Sequence, residues 1–139
     1  MTEIWLDPFQ GIIPRNNYSV LLSDGEESGL VVTLKSAQTP DAHFFGVVRA
    51  HQMVDEGVLL HGEDSVQFAA LRAENFPSTI YEIENGDFGC YIRAQMGQDV
   101  YDFLDCREYS IVTCNYLISV ITTHPPGDHR LLLLISMLH

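Results

Sequence analysis

Four carboxylates at steps of three, Asp99, Asp102, Asp105 and Glu108 in the segment GQDVYDFLDCREY, form the most regular array of ionisable groups in the chain. On a helix, at about 100° per residue, they sweep across one half of the surface. Val100, Phe103 and Leu104 then share the opposite face, with Arg107 beside them. The chemistry open to such an array is electrostatic. It is a solvated acidic face at the least and a landing surface for something basic at the most. Tyr101 and Tyr109 sit next to these acids, where an aromatic ring could anchor a contact after encounter. A second concentration, Glu82, Glu84 and Asp87 beside Tyr81, is expected at the tip of a hairpin.

Groups suited to covalent or metal chemistry are present but not arranged in a known pattern. The six histidines, His43, His51, His61, His124, His129 and His139, form no H-E-x-x-H, and the three cysteines, Cys90, Cys106 and Cys114, form no C-x-x-C, so no metal site is expected. His51 and Asp55 are four apart, and His124 and His129 bracket a Pro-Pro-Gly loop. Both pairs read most simply as surface groups. The chain has no G-x-S-x-G elbow, no phosphate-binding loop and no G-x-G-x-x-G. Any of three cysteines could be paired with any of six histidines, so a Cys–His nucleophile has no specificity. Adjacent acids occur at Glu26-Glu27, Asp55-Glu56 and Glu63-Asp64, as expected by chance among nineteen. A carboxylate pair for acid–base work would also need a cleft that raises one pKa. The expectation is a protein that is not an enzyme and carries no cofactor.

Charge narrows the partners. Seven basic residues, of which only Lys35 is a lysine, face nineteen acidic ones, for a net charge of −12. That field repels nucleic acid and anionic lipid and draws in basic partners. A chain of 139 residues that is 46% apolar reads as a single domain, 1–139, able to bury a core without staples. An odd number of cysteines without close pairing suits free thiols in a reducing cytosol. The start, MTEIWLDPFQ, is not a signal peptide. The apolar segments near 109–121 and 131–138 fall short of the roughly 18–20 residues of a membrane helix, so a soluble, cytoplasmic protein is expected.

The acids must be held by a scaffold, and its elements can be read in order. Strands are expected at 3–6, 18–22, 30–34, 43–50 and, less distinctly, 57–60, with 18–22 and 30–34 paired as a hairpin. Asp64 followed by Gln67 gives a capping box, and Pro77 stops the run, so a helix is predicted near 64–75. STIYEIE, Asn85-Gly86 and DFGCYIRA read as two strands around a type I′ turn, the turn for which Asn-Gly is the favoured pair. A second helix is expected near 98–108; a strand is its rival, and would cost half the acidic surface. Residues 109–122 should form one long strand, and the apolar run 131–138 a central strand covered on both faces. The fold class is α+β: one domain, mostly antiparallel β-sheet, with about two helices.

Between residues 30 and 92, VVTLKSAQTPDAHFFGVVRA as strand, turn and strand, GEDSVQFAAL opening a helix, and the ENG hairpin resemble small acidic bacterial immunity proteins of the contact-dependent and colicin-type systems. The resemblance departs at Pro77, where such helices usually run further. It implies an immunity-type inhibitor that binds a cognate, basic toxin domain such as a nuclease and occludes its active or substrate-binding surface. The residues expected to bind are Asp99, Tyr101, Asp102, Asp105 and Glu108, with Glu82, Glu84 and Asp87. The alternative is a small acidic secretion chaperone holding an effector segment. Such chaperones are similar in size and charge and usually dimerise, so a homodimer is compatible with this chain. They typically open on an amphipathic helix, which the two prolines of MTEIWLDPFQGIIP oppose.

Overall fold

Among the described residues, the β-branched and aromatic runs of the sequence become nine strands in two sheets. The computed structural model describes residues 3–8, 18–23, 31–36, 42–45, 47–55, 66–113, 116–123 and 133–135. The strands are β1 (Ile4–Leu6), β2 (Ser19–Ser23), β3 (Val31–Lys35), β4 (Ala42–Phe45), β5 (Val47–Asp55), β6 (Ile80–Glu84), β7 (Arg107–Val112), β8 (Tyr116–Thr123) and β9 (Leu133–Ile135). Three helices join them: α1 (Val66–Ala73), α2 (Asp87–Met96) and α3 (Gln98–Phe103). One sheet has the order β1-β6-β7-β8-β5, the other β2-β3-β4-β9, and every pairing is antiparallel. This is the α+β, mainly antiparallel architecture that the sequence predicts.

Strand alternation sorts the larger sheet into two faces. Ile80, Tyr109, Ile111, Ile118 and Val120 point to one face and pack with Tyr18, Val32 and Leu34 of the smaller sheet. The other face carries helices. Under α1, Trp5, Phe76, Tyr81, Ile83 and Val112 form a second cluster, in which Trp5 meets Tyr81 edge-on at 5.5 Å. Under α2 and α3, Ile121 and Ala50 pack with Phe88, Ile92, Met96, Tyr101, Leu104 and Cys106. Burial on both faces is why β7 and β8 read as long apolar runs.

Several expectations change. Residues 109–122 are two strands, not one. Thr113 turns the chain by donating its backbone N–H and its hydroxyl to the Tyr116 carbonyl, at 3.0 Å each, and by accepting the Tyr116 N–H at 3.2 Å. Residues 43–50 likewise divide between β4 and β5, which belong to different sheets. Among the described strands β9 pairs only with β4, at the margin of the smaller sheet, because an apolar run reports burial and not position in a sheet. The first helix ends at Ala73. Asn75 and Phe76 both take positive φ (56° and 47°), and the Phe76 N–H bonds back to the Leu71 carbonyl at 2.8 Å, a Schellman-type closure that folds the Phe76 ring under the helix. The predicted cap Asp64 and the predicted strand 57–60 lie outside the described residues.

The largest correction is at Asn85-Gly86. Asn85 is left-handed (φ 59°), but Gly86 is extended (φ −75°, ψ 158°) and starts a helix. A type I′ turn needs positive φ at both positions, so there is no hairpin and DFGCYIRAQM is α2. Phe88, Ile92 and Met96, at a spacing of four, form its buried stripe.

Candidate functional site

The second helical segment stops sooner than predicted. At the end of α3 the Asp105 N–H bonds to the Asp102 carbonyl and the Cys106 N–H to the Tyr101 carbonyl, both at 3.1 Å. Asp105 takes φ 51°, a conformation that a short polar residue tolerates. The chain then enters β7, so Glu108 lies on a strand, not on the helix of Asp99 and Asp102. The four acids do not share one helical face.

They meet in another way. The end of the larger sheet where β6 stops and β7 begins, together with α2 and α3, borders a half-open cavity of about 430 Å³. Glu82, Glu84, Tyr101, Asp102, Asp105 and Glu108 line it, with Cys90, Arg93, Cys106 and Arg107. Members of the two acidic groups read separately from the sequence thus border one cavity, although the register of β6 and β7 turns Glu82 and Glu108 to opposite faces of the sheet. Asp87 and Asp99 are exposed and lie outside its lining.

Burial divides the candidates. Glu84, Asp87, Asp99 and Asp102 are exposed and Asp105 is half-buried. Glu82 is only 8% exposed and Glu108 only 5%. Tyr81, Tyr101 and Tyr109, candidates to anchor a contact on their sequence positions and equally readable as core, are core residues. The Tyr81 hydroxyl accepts the Ser78 N–H at 2.8 Å, and the Tyr109 ring sits between the sheets.

Two arginines, Arg93 and Arg107, organise the acids. Arg93 projects from the last turn of α2. Its guanidinium lies over the Tyr101 ring, 4.9 Å from the centroid, and bonds the Asp102 carboxylate at 2.9 Å. Arg107 stands 3.6 Å from Glu82 and 3.5 Å from Asp105. Both cations are thereby directed at acids other than Glu108.

Glu108 is held differently. Its Oε1 accepts the Gly89 N–H at 3.1 Å, in the first turn of α2. That turn has no side-chain cap of its own at Gly86, so a carboxyl group from the neighbouring strand supplies an acceptor for a helix terminus. The approach requires glycine twice, because a Cβ on Gly86 or Gly89 would lie 2.7 or 2.6 Å from Oε1. Desolvation raises the Glu108 pKa from 4.5 to about 7; Glu3 and Asp87 push the same way and the Gly89 hydrogen bond opposes them. Burial, with Cys106 and Glu108 nearby, likewise pushes the Tyr101 hydroxyl up to about 12, against the influence of Arg93. The Cys106 thiol is raised by burial, with Arg49 opposing and Asp105 and Asp102 adding to it. A thiol raised in this way is a poor nucleophile.

Among the described residues no three His, Cys, Asp or Glu side chains are grouped to hold a metal ion, and no helix is long and apolar enough to cross a membrane. No protein family matches the chain, nor does any curated protein or solved structure. The site was partly foreshadowed by its acids. The signals that could have found the rest are the Phe88/Ile92/Met96 spacing, which makes α2, and the glycines at 86 and 89, three apart on that helix.

Proposed function

We propose that this chain is a binding protein for a basic protein partner, of the immunity type, and that it neutralises that partner by covering its cationic surface. The observation that carries the reading is the concentration of Glu82, Glu84, Asp102, Asp105 and Glu108 around one end of the larger sheet, bordering one open cavity, in a chain of net charge −12. Glu84 at the end of β6, Asp87 on α2 and Asp99 on α3 are exposed as well. Long-range charge of this kind raises association rates with a cation by about 10- to 1,000-fold at low salt. Apolar groups for the contact that follows are at hand, since Phe103 is 88% exposed and Tyr91 and Val100 are exposed too.

The test is capture of a basic partner from the native host, its identification, and stopped-flow association at low and high salt. Replacing Glu84, Asp87 and Asp99 together by Lys should slow association by about tenfold or more and flatten its salt dependence, with the melting temperature retained. An unchanged rate and salt slope would contradict the reading.

A second reading is favoured by one observation. A carboxyl with pKa about 7 in a cavity is suited to general acid–base catalysis. Glu82 cannot complete a carboxylate pair with it. Glu82 pairs in register with Tyr109 and Ile83 with Glu108, so the two acids point to opposite faces of the sheet.

A further inference from the structure

The cavity around Glu108 contains an unbalanced charge position, and its surroundings define what would balance it. Glu108 is only 5% exposed and lines the cavity. One of its oxygens takes the Gly89 amide. Among the described residues no cation stands against the carboxyl group. Its charged or titratable neighbours are Glu3, ahead of β1, Asp87 on α2 and Tyr101 on α3, and the acids among them disfavour its ionisation. The nearest arginines are turned away, Arg93 to Asp102 and Arg107 to Glu82 and Asp105. A buried carboxyl group without a counterion is costly to ionise, and a partner that brings the counterion with it relieves that cost.

We propose that the cavity receives a single alkylguanidinium group, the side chain of an arginine on the partner protein, seated against the free edge of the Glu108 carboxylate. The proposal deepens the reading of the chain as a binder of a basic protein and rests on it for the source of the cation. Three observations favour guanidinium. The cavity, at about 430 Å³, lies within the range of about 300–1,000 Å³ typical of small-ligand sites and leaves ample room for a planar group. A carboxylate with one oxygen engaged by a backbone amide offers its other edge to a planar fork of donors. Tyr101 already carries one guanidinium, Arg93, on its ring, which shows that the wall accepts that shape. Binding also moves a proton. Below about pH 7 most Glu108 is protonated before the cation arrives, and the O–H proton leaves to solvent as the carboxylate pairs with the guanidinium.

The experiment is titration calorimetry of the intact chain with methylguanidinium, with neutral methylurea, and with the acetylated, amidated tripeptide Gly-Arg-Gly. Each is measured at pH 6.5 in buffers of different ionisation enthalpy. The expected result is saturable binding of methylguanidinium in the range of about 1–10 mM, none of methylurea, and release of ~0.5 to ~0.8 proton per cation, the upper figure being the fraction protonated at that pH for a group titrating near 7 and the lower one the release when the bound pKa falls by about one unit. Glu108→Gln should keep the fold and bind at least about tenfold more weakly with no proton release. The proton count needs no variant and stands even if Glu108→Gln fails to fold. Binding without proton release, or equal binding of methylurea, would overturn the proposal. Binding of methylguanidinium but not of the tripeptide would assign the site to a free small cation and overturn its link to a protein partner. Failure of all three probes, with salt-dependent partner association intact, would sink the cavity proposal and leave the proposed function standing.

Discussion

Replacing Glu108 by Gln should make the protein more stable at neutral pH, although it removes a carboxylate from a helix terminus. The carboxyl group titrates at about 7 in the folded protein against 4.5 when solvated. Between those values the folded chain binds the proton more tightly than the unfolded chain. The stability this contributes is therefore complete below about pH 4.5, is lost as pH rises toward 7, and does not fall further above it. At 1.36 kcal/mol per unit the whole effect is on the order of 3 kcal/mol, of which roughly 2 kcal/mol falls between pH 5.5 and 8. Gln is nearly isosteric, cannot ionise, and still offers an oxygen to the Gly89 N–H. The assay is denaturant and thermal unfolding of both proteins at several pH values from 5.5 to 8. The difference between variant and wild type should grow with pH by about 2 kcal/mol, or on the order of 7 °C in melting temperature for a chain of this length. Parallel profiles would refute the reasoning, because they would mean that Glu108 is ionised in the folded protein at pH 5.5 or already carries a counterion.

Other consequences follow from the same geometry. Gly89→Ala brings a Cβ to 2.6 Å from Glu108 Oε1 and should destabilise by about 1–3 kcal/mol in chemical unfolding. Gly97→Ala, with nothing within 4 Å but φ at 93°, should lose about 1–2 kcal/mol from backbone strain alone. Phe103→Ser, at a position 88% exposed, should leave stability within about 0.5 kcal/mol and weaken binding to a partner through lost packing, seen as a faster off-rate. Thiol labelling followed by peptide mapping should modify exposed Cys90 well before buried Cys106, whose thiol is raised by burial.

How much of this was legible in the sequence depends on what each signal reports. The β2–β3 hairpin, the opening strand and the existence of α1 follow from residue type alone, because turn residues, helix formers and β-branched runs act locally, although α1 ends at Ala73, before Pro77. The Asn85-Gly86 pair misleads because its usual role, a tight turn, is a backbone property. Here the reason for Gly86, and for Gly89, is the approach of Glu108 from nineteen residues further along. The helix predicted over 98–108 fails at Asp105 for a similar reason. Four acids at steps of three remain regular on paper, while a single left-handed residue transfers the last of them to a strand. What survives is the acidity itself. Six of the eight residues named from the sequence line the same cavity, though burial recasts Tyr101, Glu82 and Glu108 from surface groups into parts of the interior.

The most direct measurement is a carboxyl-carbon NMR titration of Glu108 in the intact chain, assigned by its loss in Glu108→Gln, with and without methylguanidinium. The chemistry of the site requires a pKa near 7 without the cation and a value about one unit or more lower with it, since an opposite charge within hydrogen-bond reach favours the ionised form. A Glu108 that titrates in the ordinary carboxylate range, or whose pKa near 7 does not move with the cation present, would contradict the account.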